Sequence, residues 1–401
     1  MTVIWREPAV RPRNVECLTV AGLFAGIGGI ELGLHDAGHH TDFLCEVDLA
    51  ARSVLAARFP GIPIHGDIRE LTELPAVDLV TAGFPCQDLS QAGRTAGITG
   101  EQSGLIEKVF ELWERARSSG KEPRWLLLEN VPFMLQLNRG SAMRYLTERL
   151  ADLGLRWAYR TVDTRSFGLP QRRHRVYLLA SRTEDPRRVL FADDTGPMTP
   201  ETSERVACGF YWTEGTRGLG WAFDAVPTLK GGSTIGIPSP PAVWMPDGRF
   251  VTPSITDVER LQGFEANWTA PAELANGRRS YRWKLVGNAV GVPAAAWVGT
   301  RLGEPGTYSP NDREIALNGA WPAAAWGEGH KVFMASISMY PVQLKYRHLA
   351  EFLERPHNPL SERAAAGFLG RARSSTLRFP PGLLDSIEGH IQRMREARVV
   401  A

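Results

Sequence analysis

Short apolar runs alternate with amphipathic stretches over the first 180 residues. Runs of strand length fall at Leu18–Phe24, Phe43–Glu46, Val77–Ala82, Trp125–Glu129 and Arg175–Ala180. Between them, near Ile30–Ala37, Leu49–Phe59, Leu105–Arg117 and Ala142–Leu153, apolar residues recur with a helical period. This alternation predicts an α/β fold built on a doubly wound, mostly parallel sheet. The pattern then breaks. Residues 182–250 are dense in Gly, Pro, Thr and Trp and show no helical period, as an inserted unit of strands and loops would. Helical patterning returns at Thr256–Gln262 and from Ala289 to Leu302. A Gly/Pro-rich joint at 303–312 opens a tail with helical stretches near Gln343–Leu353 and Leu383–Arg395. The expected boundaries are therefore 15–181, 182–250, 251–302 and 303–401, the last a helical accessory extension.

Composition adds exclusions. Hydrophobic residues at 43% and charged residues at 22% are those of a globular chain, and a net charge of +2 announces no partner by itself. No apolar run approaches membrane-spanning length, and the first residues lack a secretory pattern. The four cysteines, at 17, 45, 86 and 208, form no C-x-x-C pair, so neither a disulfide scaffold nor a cysteine-rich zinc site is expected. The expectation is a soluble cytoplasmic protein without membrane contact. Cys17 and Cys45, inside predicted strands, read as small buried hydrophobes.

Candidate chemistry gathers at the strand ends. Phe24-Ala25-Gly26-Ile27-Gly28-Gly29 joins the first strand to the first helix, where open α/β sheets bind nucleotide-like ligands. A dinucleotide fingerprint would need glycine at position 31, which is Glu31. A carboxylate there disfavours a pyrophosphate and tolerates a sulfonium. Glu46 ends the second strand, as a ribose-hydroxyl acceptor should, and Asp67 ends the third strand-like segment, where it could accept from an adenine amino group. These features favour an adenosyl ligand and leave a dehydrogenase open. The fourth strand runs into Gly83-Phe84-Pro85-Cys86-Gln87-Asp88-Leu89-Ser90. A cysteine at the mouth of the ligand face is poorly placed for packing and well placed as a nucleophile, and the small-residue stretch after it reads as a closing loop. Glu129 ends another buried strand, followed by Asn130-Val131-Pro132. Gln171-Arg172-Arg173-His174-Arg175 precedes an apolar strand, within a stretch (156–188) of nine Arg and three acids. Strand alternation sends Arg173 and Arg175 to one face, Arg172 and His174 to the other.

Together these segments carry a resemblance. FAGIGG (24–29), Glu46, Asp67, GFPCQDLS (83–90), ENV (129–131), QRRHR (171–175), TPSITDVERLQGF (252–264) and GNAVGVP (287–293) stand in the order and spacing of the DNA (cytosine-5)-methyltransferases. The chain resembles that family, in its bacterial form, over roughly two thirds of its length. The resemblance implies a methyltransferase domain over 15–181, a target-recognition domain over 182–250 and a segment returning to the catalytic domain over 251–302.

It further implies S-adenosyl-L-methionine as cofactor, with S-adenosyl-L-homocysteine as product, and methyl transfer to C5 of a flipped-out cytosine in a specific duplex sequence. By the same resemblance, Cys86 forms the covalent adduct at C6. Glu129 stabilises the adduct and reads the base, and Arg175 meets the cytosine O2 while Arg173 places that region. The cofactor set is Phe24, Gly26, Ile27, Gly28, Gly29, Glu46, Val47, Asp67, Ile68, Pro85, Leu105, Asn288 and Ala289. Gln87, Ser90, Arg94, Arg172, Thr228 and Leu229 are expected to meet DNA, and no metal is implied. Expected partners are double-stranded DNA and a cognate restriction endonuclease or other phage-defence proteins, with the enzyme a nucleoid-associated monomer. Two other readings stand beside this one. In a transfer-RNA cytosine-5 methyltransferase a Cys-Phe-Thr element is usual, and no cysteine here precedes Phe. A catalytically silent DNA-binding regulator would have lost the nucleophile or the Glu, and both are present. Trp212, Trp221 and Trp244 either pack on DNA or fill a small core.

Overall fold

The computed structural model describes residues 16–85, 104–198, 206–231, 239–276, 280–309, 311–316 and 319–400. They form two compact units: one from 1–166, 174–198 and 289–343, the other from 167–173, 199–288 and 344–401.

The first unit begins with β1 (Thr19–Leu23), α1 (Gly29–Asp36), β2 (His40–Cys45), α2 (Leu49–Arg58), β3 (Ile64–His65) and β4 (Leu79–Ala82). It continues with α3 (Gly104–Ser118), β5 (Trp125–Asn130), α4 (Ser141–Asp152) and β6 (Arg156–Asp163). Asp48 starts α2 by accepting from the N–H groups of Ala50 and Ala51. Every residue of β5 is buried, which explains why its sequence is a continuous apolar run rather than an alternation. The chain gives a short strand β7 (Gln171–Arg172) to the second unit, then returns with β8 (His174–Ser181) and the short helix α5 (Arg187–Leu190).

In the second unit β9 (Cys208–Phe210), β10 (Ala222–Phe223), β11 (Val226–Pro227), β12 (Ala242–Trp244) and β13 (Phe250–Thr252) precede α6 (Ile255–Leu261), α7 (Ala270–Asn276) and α8 (Ser280–Asn288). A reciprocal capping box between Ser254 and Asp257 starts α6. Then α9 (Val292–Gly303), β14 (Arg313–Glu314), β15 (Ala324–Glu328) and β16 (Lys331–Met334) return to the first unit. The chain ends in the second unit with α10 (Leu349–Phe352), β17 (Asn358–Pro359), α11 (Glu362–Arg373) and α12 (Leu383–Val400).

The first unit's sheet has the order β14-β16-β15-β6-β8-β5-β4-β1-β2-β3. The half from β5 to β3 is parallel and is the part that the strand–helix alternation predicts. From β8 outward the pairing is antiparallel. The main core lies where α3 and α4 cover this sheet, around Phe110, Trp113, Leu126 and Leu146.

The second unit has a five-stranded antiparallel sheet, β10-β9-β12-β13-β17. Phe368, Leu369, Leu383 and Ile387 of α11 and α12 pack with Phe210 and Phe250 of this sheet. Trp212, Trp221 and Trp244 lie partly buried against that core.

The segment boundaries differ from those expected. Residues 182–198 stay with the first unit, and 251–288 belong to the second. The 303–401 segment divides: β14, β15 and β16 extend the first sheet, while β17, α11 and α12 complete the second unit. The physical reason is that neither sheet is finished without it, since β6 needs a neighbour and the short strands around Phe210 need an apolar cover. Cys17 precedes β1 and is exposed, unlike the buried Cys45, whose thiol burial pushes up to about 12.

Candidate active site

The site begins where β1 ends. Phe24 (φ 54°), Gly26 (φ 58°) and Gly28 (φ 81°) all have left-handed backbone. Gly28 has no room for a side chain: a Cβ there would lie 2.3 Å from the Phe59 ring. At Gly26 a Cβ would enter open space, so this side of the loop can admit a ligand. Glu46 ties the loop to the end of β2. Its Oε2 accepts from the Gly26 N–H at 2.8 Å and its Oε1 from the Asp48 N–H at 2.8 Å. Burial raises its carboxyl above the usual range. Beside it Val47 is 64% exposed and Leu49, which the sequence did not single out, 71% exposed. Two bare apolar side chains flanking a hydroxyl acceptor suit a flat nucleoside. Asp67 caps a short turn and pairs with Arg69, whose hydrogen bonds hold the carboxyl below its usual range. Ile68 is buried and Leu105 half-buried against the core, whereas Pro85 is exposed.

The second cluster sits at the carboxyl edge of β4 and β5. A Cβ on Gly83 would lie 3.6 Å from Glu129 Oε2 and 3.9 Å from the Phe24 carbonyl. That one glycine therefore borders both the glycine loop and the carboxylate. Asn130 Nδ2 donates to the Phe84 carbonyl at 3.0 Å, anchoring the chain that leads to Cys86. Cys86, Gln87, Ser90 and Arg94 lie outside the described residues. Because β8 runs antiparallel to β5, its first residues meet the last of β5: Val176 pairs with Asn130. This register puts Arg175 beside Glu129, with Nε 3.0 Å from Glu129 Oε1 and both side chains nearly buried. Arg175 Nη1 also donates to the His174 carbonyl at 2.7 Å.

The alternation expected through QRRHR is interrupted, because β7 ends at Arg172 and β8 starts at His174. Arg173 belongs to the second unit, fully buried, with both terminal nitrogens 3.4 Å from the Gly287 carbonyl. His174 points to Asp163, its Nε2 2.9 Å from Oδ2. Arg165 grips the same carboxylate. Burial pushes Asp163 up, but the bonds from His174 and Arg165 outweigh it and hold it low. The sequence reading missed Asp163 because it did not recognise β6 as a strand, although the buried run from Trp157 to Asp163 was there to find.

Within the second unit, β7 pairs in parallel with β11, which carries the chain directly to Thr228 and Leu229. Thr228 Oγ1 donates to the Arg172 carbonyl at 2.9 Å, and Leu229 is buried with its N–H on Gln171 Oε1. Gln171 Nε2 donates to the Leu261 carbonyl at 2.7 Å, and Gln262 Nε2 to the Val286 carbonyl at 3.0 Å. Four separated sequence segments thus share one buried polar network. Asn288 ends α8 in the second unit, while Ala289 opens the next stretch of the first.

Residues 18–206 match the family described as C-5 cytosine-specific DNA methylase. Type II methyltransferase M2.BsuMI of Bacillus subtilis (strain 168) is 50% identical over 381 residues, covering 92% of this chain and 97% of that protein. The chain belongs to the C-5 cytosine-specific DNA methylase family. Type II methyltransferase M.NlaX of Neisseria lactamica is 29% identical over 330 residues, 74% of this methylase and 99% of the relative. The crystal structure of S. pombe Dnmt2 methyltransferase shares the fold, with a TM-score of 0.53 at 17% identity over 71% of this methylase and 98% of that chain. The family implies S-adenosyl-L-methionine. The open face at Gly26, the Glu46 carboxylate and exposed Val47 fit its adenosyl part.

Proposed function

We propose that this methylase transfers a methyl group to C5 of cytosine in a specific duplex DNA sequence, as the modification enzyme of a type II restriction-modification system. The observation that carries the reading is the nearly buried Glu129–Arg175 pair at the carboxyl edge of the sheet, bordered by the glycine that leads to Cys86. A cytosine presents an N3 and an exocyclic amine to a carboxyl group and an O2 to a guanidinium, so the pair matches its Watson–Crick edge. That edge is unreachable inside the stack, so the base is flipped out, at a cost of a few kcal/mol.

In this reading the Cys86 thiolate adds to C6, the C5–C6 double bond gives up its electrons, and C5 becomes an enamine carbon able to attack an electrophile. S-adenosyl-L-methionine, when bound, supplies the electrophilic methyl group and leaves as S-adenosyl-L-homocysteine. Glu129 holds a proton at N3 and so neutralises the adduct. Arg175 donates to O2, and Asp163 with His174 fixes the strand start from which Arg175 projects. A base then takes the C5 proton and the C6–S bond breaks, restoring Cys86. By the family resemblance, Arg173 helps to place the Arg175 segment, and Thr228 and Leu229 belong to the element that meets DNA. Phe24, Gly26, Ile27, Gly28, Gly29, Glu46, Val47, Asp67, Ile68, Pro85, Leu105, Asn288 and Ala289 hold the cofactor. Gln87, Ser90, Arg94 and Arg172 meet the DNA strands. The cognate partner is an endonuclease cutting the same sequence, and the enzyme works in the cytoplasm as a monomer.

The test is methylome sequencing of a methylation-deficient host expressing this chain or its Cys86→Ser variant. One short sequence carrying 5-methylcytosine only with the intact cysteine is the expected outcome. Methyl transfer to RNA in place of DNA, or turnover by Cys86→Ser, overturns the reading.

A further inference from the structure

Nine residues beyond Glu129 the chain enters a left-handed turn that suits Asn138 and Gly140 but is disfavoured at Arg139. Asn138 (φ 50°), Arg139 (φ 58°) and Gly140 (φ 82°) are consecutive and all left-handed, and two of them carry side chains. At Arg139 such backbone persists only where the surroundings enforce it. The enforcing residue is Trp321, from the segment between β14 and β15. Its N–H donates to the Leu135 carbonyl at 3.0 Å and its indole Nε1–H to the Gly140 carbonyl at 3.0 Å. The ring lies 6.0 Å from Trp157 and 6.2 Å from Tyr159, and the Tyr159 hydroxyl donates to the Pro322 carbonyl at 2.8 Å. A side chain at Gly140 would lie 2.1 Å from the Gly319 carbonyl oxygen, so the two segments are in backbone contact.

The braced turn faces outward. Met134 and Leu135 are buried and anchor it, whereas Phe133 between them and β5 is 60% exposed, and Asn138 and Arg139 are exposed as well. It leaves β5 at the carboxyl edge, the ligand side of the parallel strands and the side on which Glu129 sits. A bare phenyl ring and a guanidinium held rigidly four and ten residues beyond Glu129 match the two faces of a nucleic-acid strand. Aromatic rings pack on sugars and unstacked bases, and the planar fork of Arg suits a phosphate.

We propose that Phe133–Arg139 is a further duplex-contact element of this methylase, in which Phe133 packs on the DNA strand beside the extruded cytosine, Arg139 meets a phosphate, and Trp321 is the positioning residue. This rests on the DNA-methylation reading above. It also gives the 303–340 segment, which lies beyond the matched motifs, a part in substrate binding.

The full-length chain and its Phe133→Ala, Arg139→Gln and Trp321→Phe variants test it. Random-sequence duplexes report binding by anisotropy across a salt series. Unmethylated plasmid DNA reports labelled methyl transfer, and calorimetry reports cofactor affinity. Arg139→Gln should lower the slope of log affinity against log salt by about one. Phe133→Ala should raise the KM for DNA roughly ten-fold, more than it lowers kcat, with cofactor affinity unchanged. Trp321→Phe keeps a ring but loses the bond to Gly140, and should raise the KM in the same sense. An unchanged salt slope and unchanged KM in the variants, with the wild type active on DNA, would sink the proposal. So would a loss of affinity for total RNA without one for DNA. A wild type that methylates no DNA defeats the underlying reading instead and is recognised without any variant.

Discussion

Replacing Glu31 with glutamine should flatten the pH dependence of this protein's stability. Glu31 is 1% exposed in the first turn of α1. Thr81 Oγ1 donates to its Oε1 at 3.1 Å, and its Oε2 has no hydrogen-bond partner among the described residues. It fits under β1 only because Gly22 lacks a side chain, where a Cβ would lie 2.3 Å from Oε1. Burial first, and the negative field of Glu46 in addition, push its carboxyl from the ordinary 4.5 up to about 7. In between, the folded protein keeps a proton that the unfolded chain has released. Stability is therefore highest below the unfolded value and falls as pH rises through the window. At about 1.4 kcal/mol per unit the full loss is roughly 3 kcal/mol, of which about 2 kcal/mol falls between pH ~5.5 and ~8.5. For a unit of some 150–250 residues, that is a melting difference of roughly 4–8 °C. The assay is thermal melting of cofactor-free protein across that range. Glu31→Gln should gain on the wild type by this amount toward alkaline pH. Parallel profiles for the two proteins would refute the reasoning, because Glu31 would then be ionised in the fold at no cost.

Two other perturbations probe the frame of the site. Gly28→Ala puts a Cβ against Phe59 at a left-handed position, at a cost of about 1–3 kcal/mol for overpacking with about 1–2 kcal/mol of backbone strain. It should abolish cofactor binding in calorimetry and lower the melting temperature; retained affinity would count against the loop geometry. Ending the chain after residue 343 removes β17, α11 and α12, and with them the apolar cover around Phe210 and Phe250. The second unit should lose its cooperative melting transition and become open to protease, and a truncated chain that still methylates one sequence would overturn the assignment of these helices to that unit.

The glycine loop, the chain leading to Cys86, and Glu129 were legible because each follows an apolar run that is a strand on local grounds alone. A strand end in a parallel sheet is a ligand-facing position wherever the strand sits. The same local patterning marked α1 to α4 to within a residue or two of their ends, since amphipathic period and capping are written in neighbouring residues. Position 31 was legible as a misplaced acid. Its burial against Gly22 and Thr81 was not, because it depends on how α1 lies on the sheet.

What the sequence determined by itself is the parallel half of the first sheet and which residues stand at its carboxyl edge. Tertiary structure alone decided the rest. Antiparallel register, which no single strand encodes, laid the start of β8 against the end of β5 and so paired Arg175 with Glu129. A break in the strand at Arg173 sent that side chain to Gly287 instead. The tail's division between the two units followed from which apolar surfaces remained uncovered, a long-range demand to which β15 answered at β6 and α11 and α12 at Phe210.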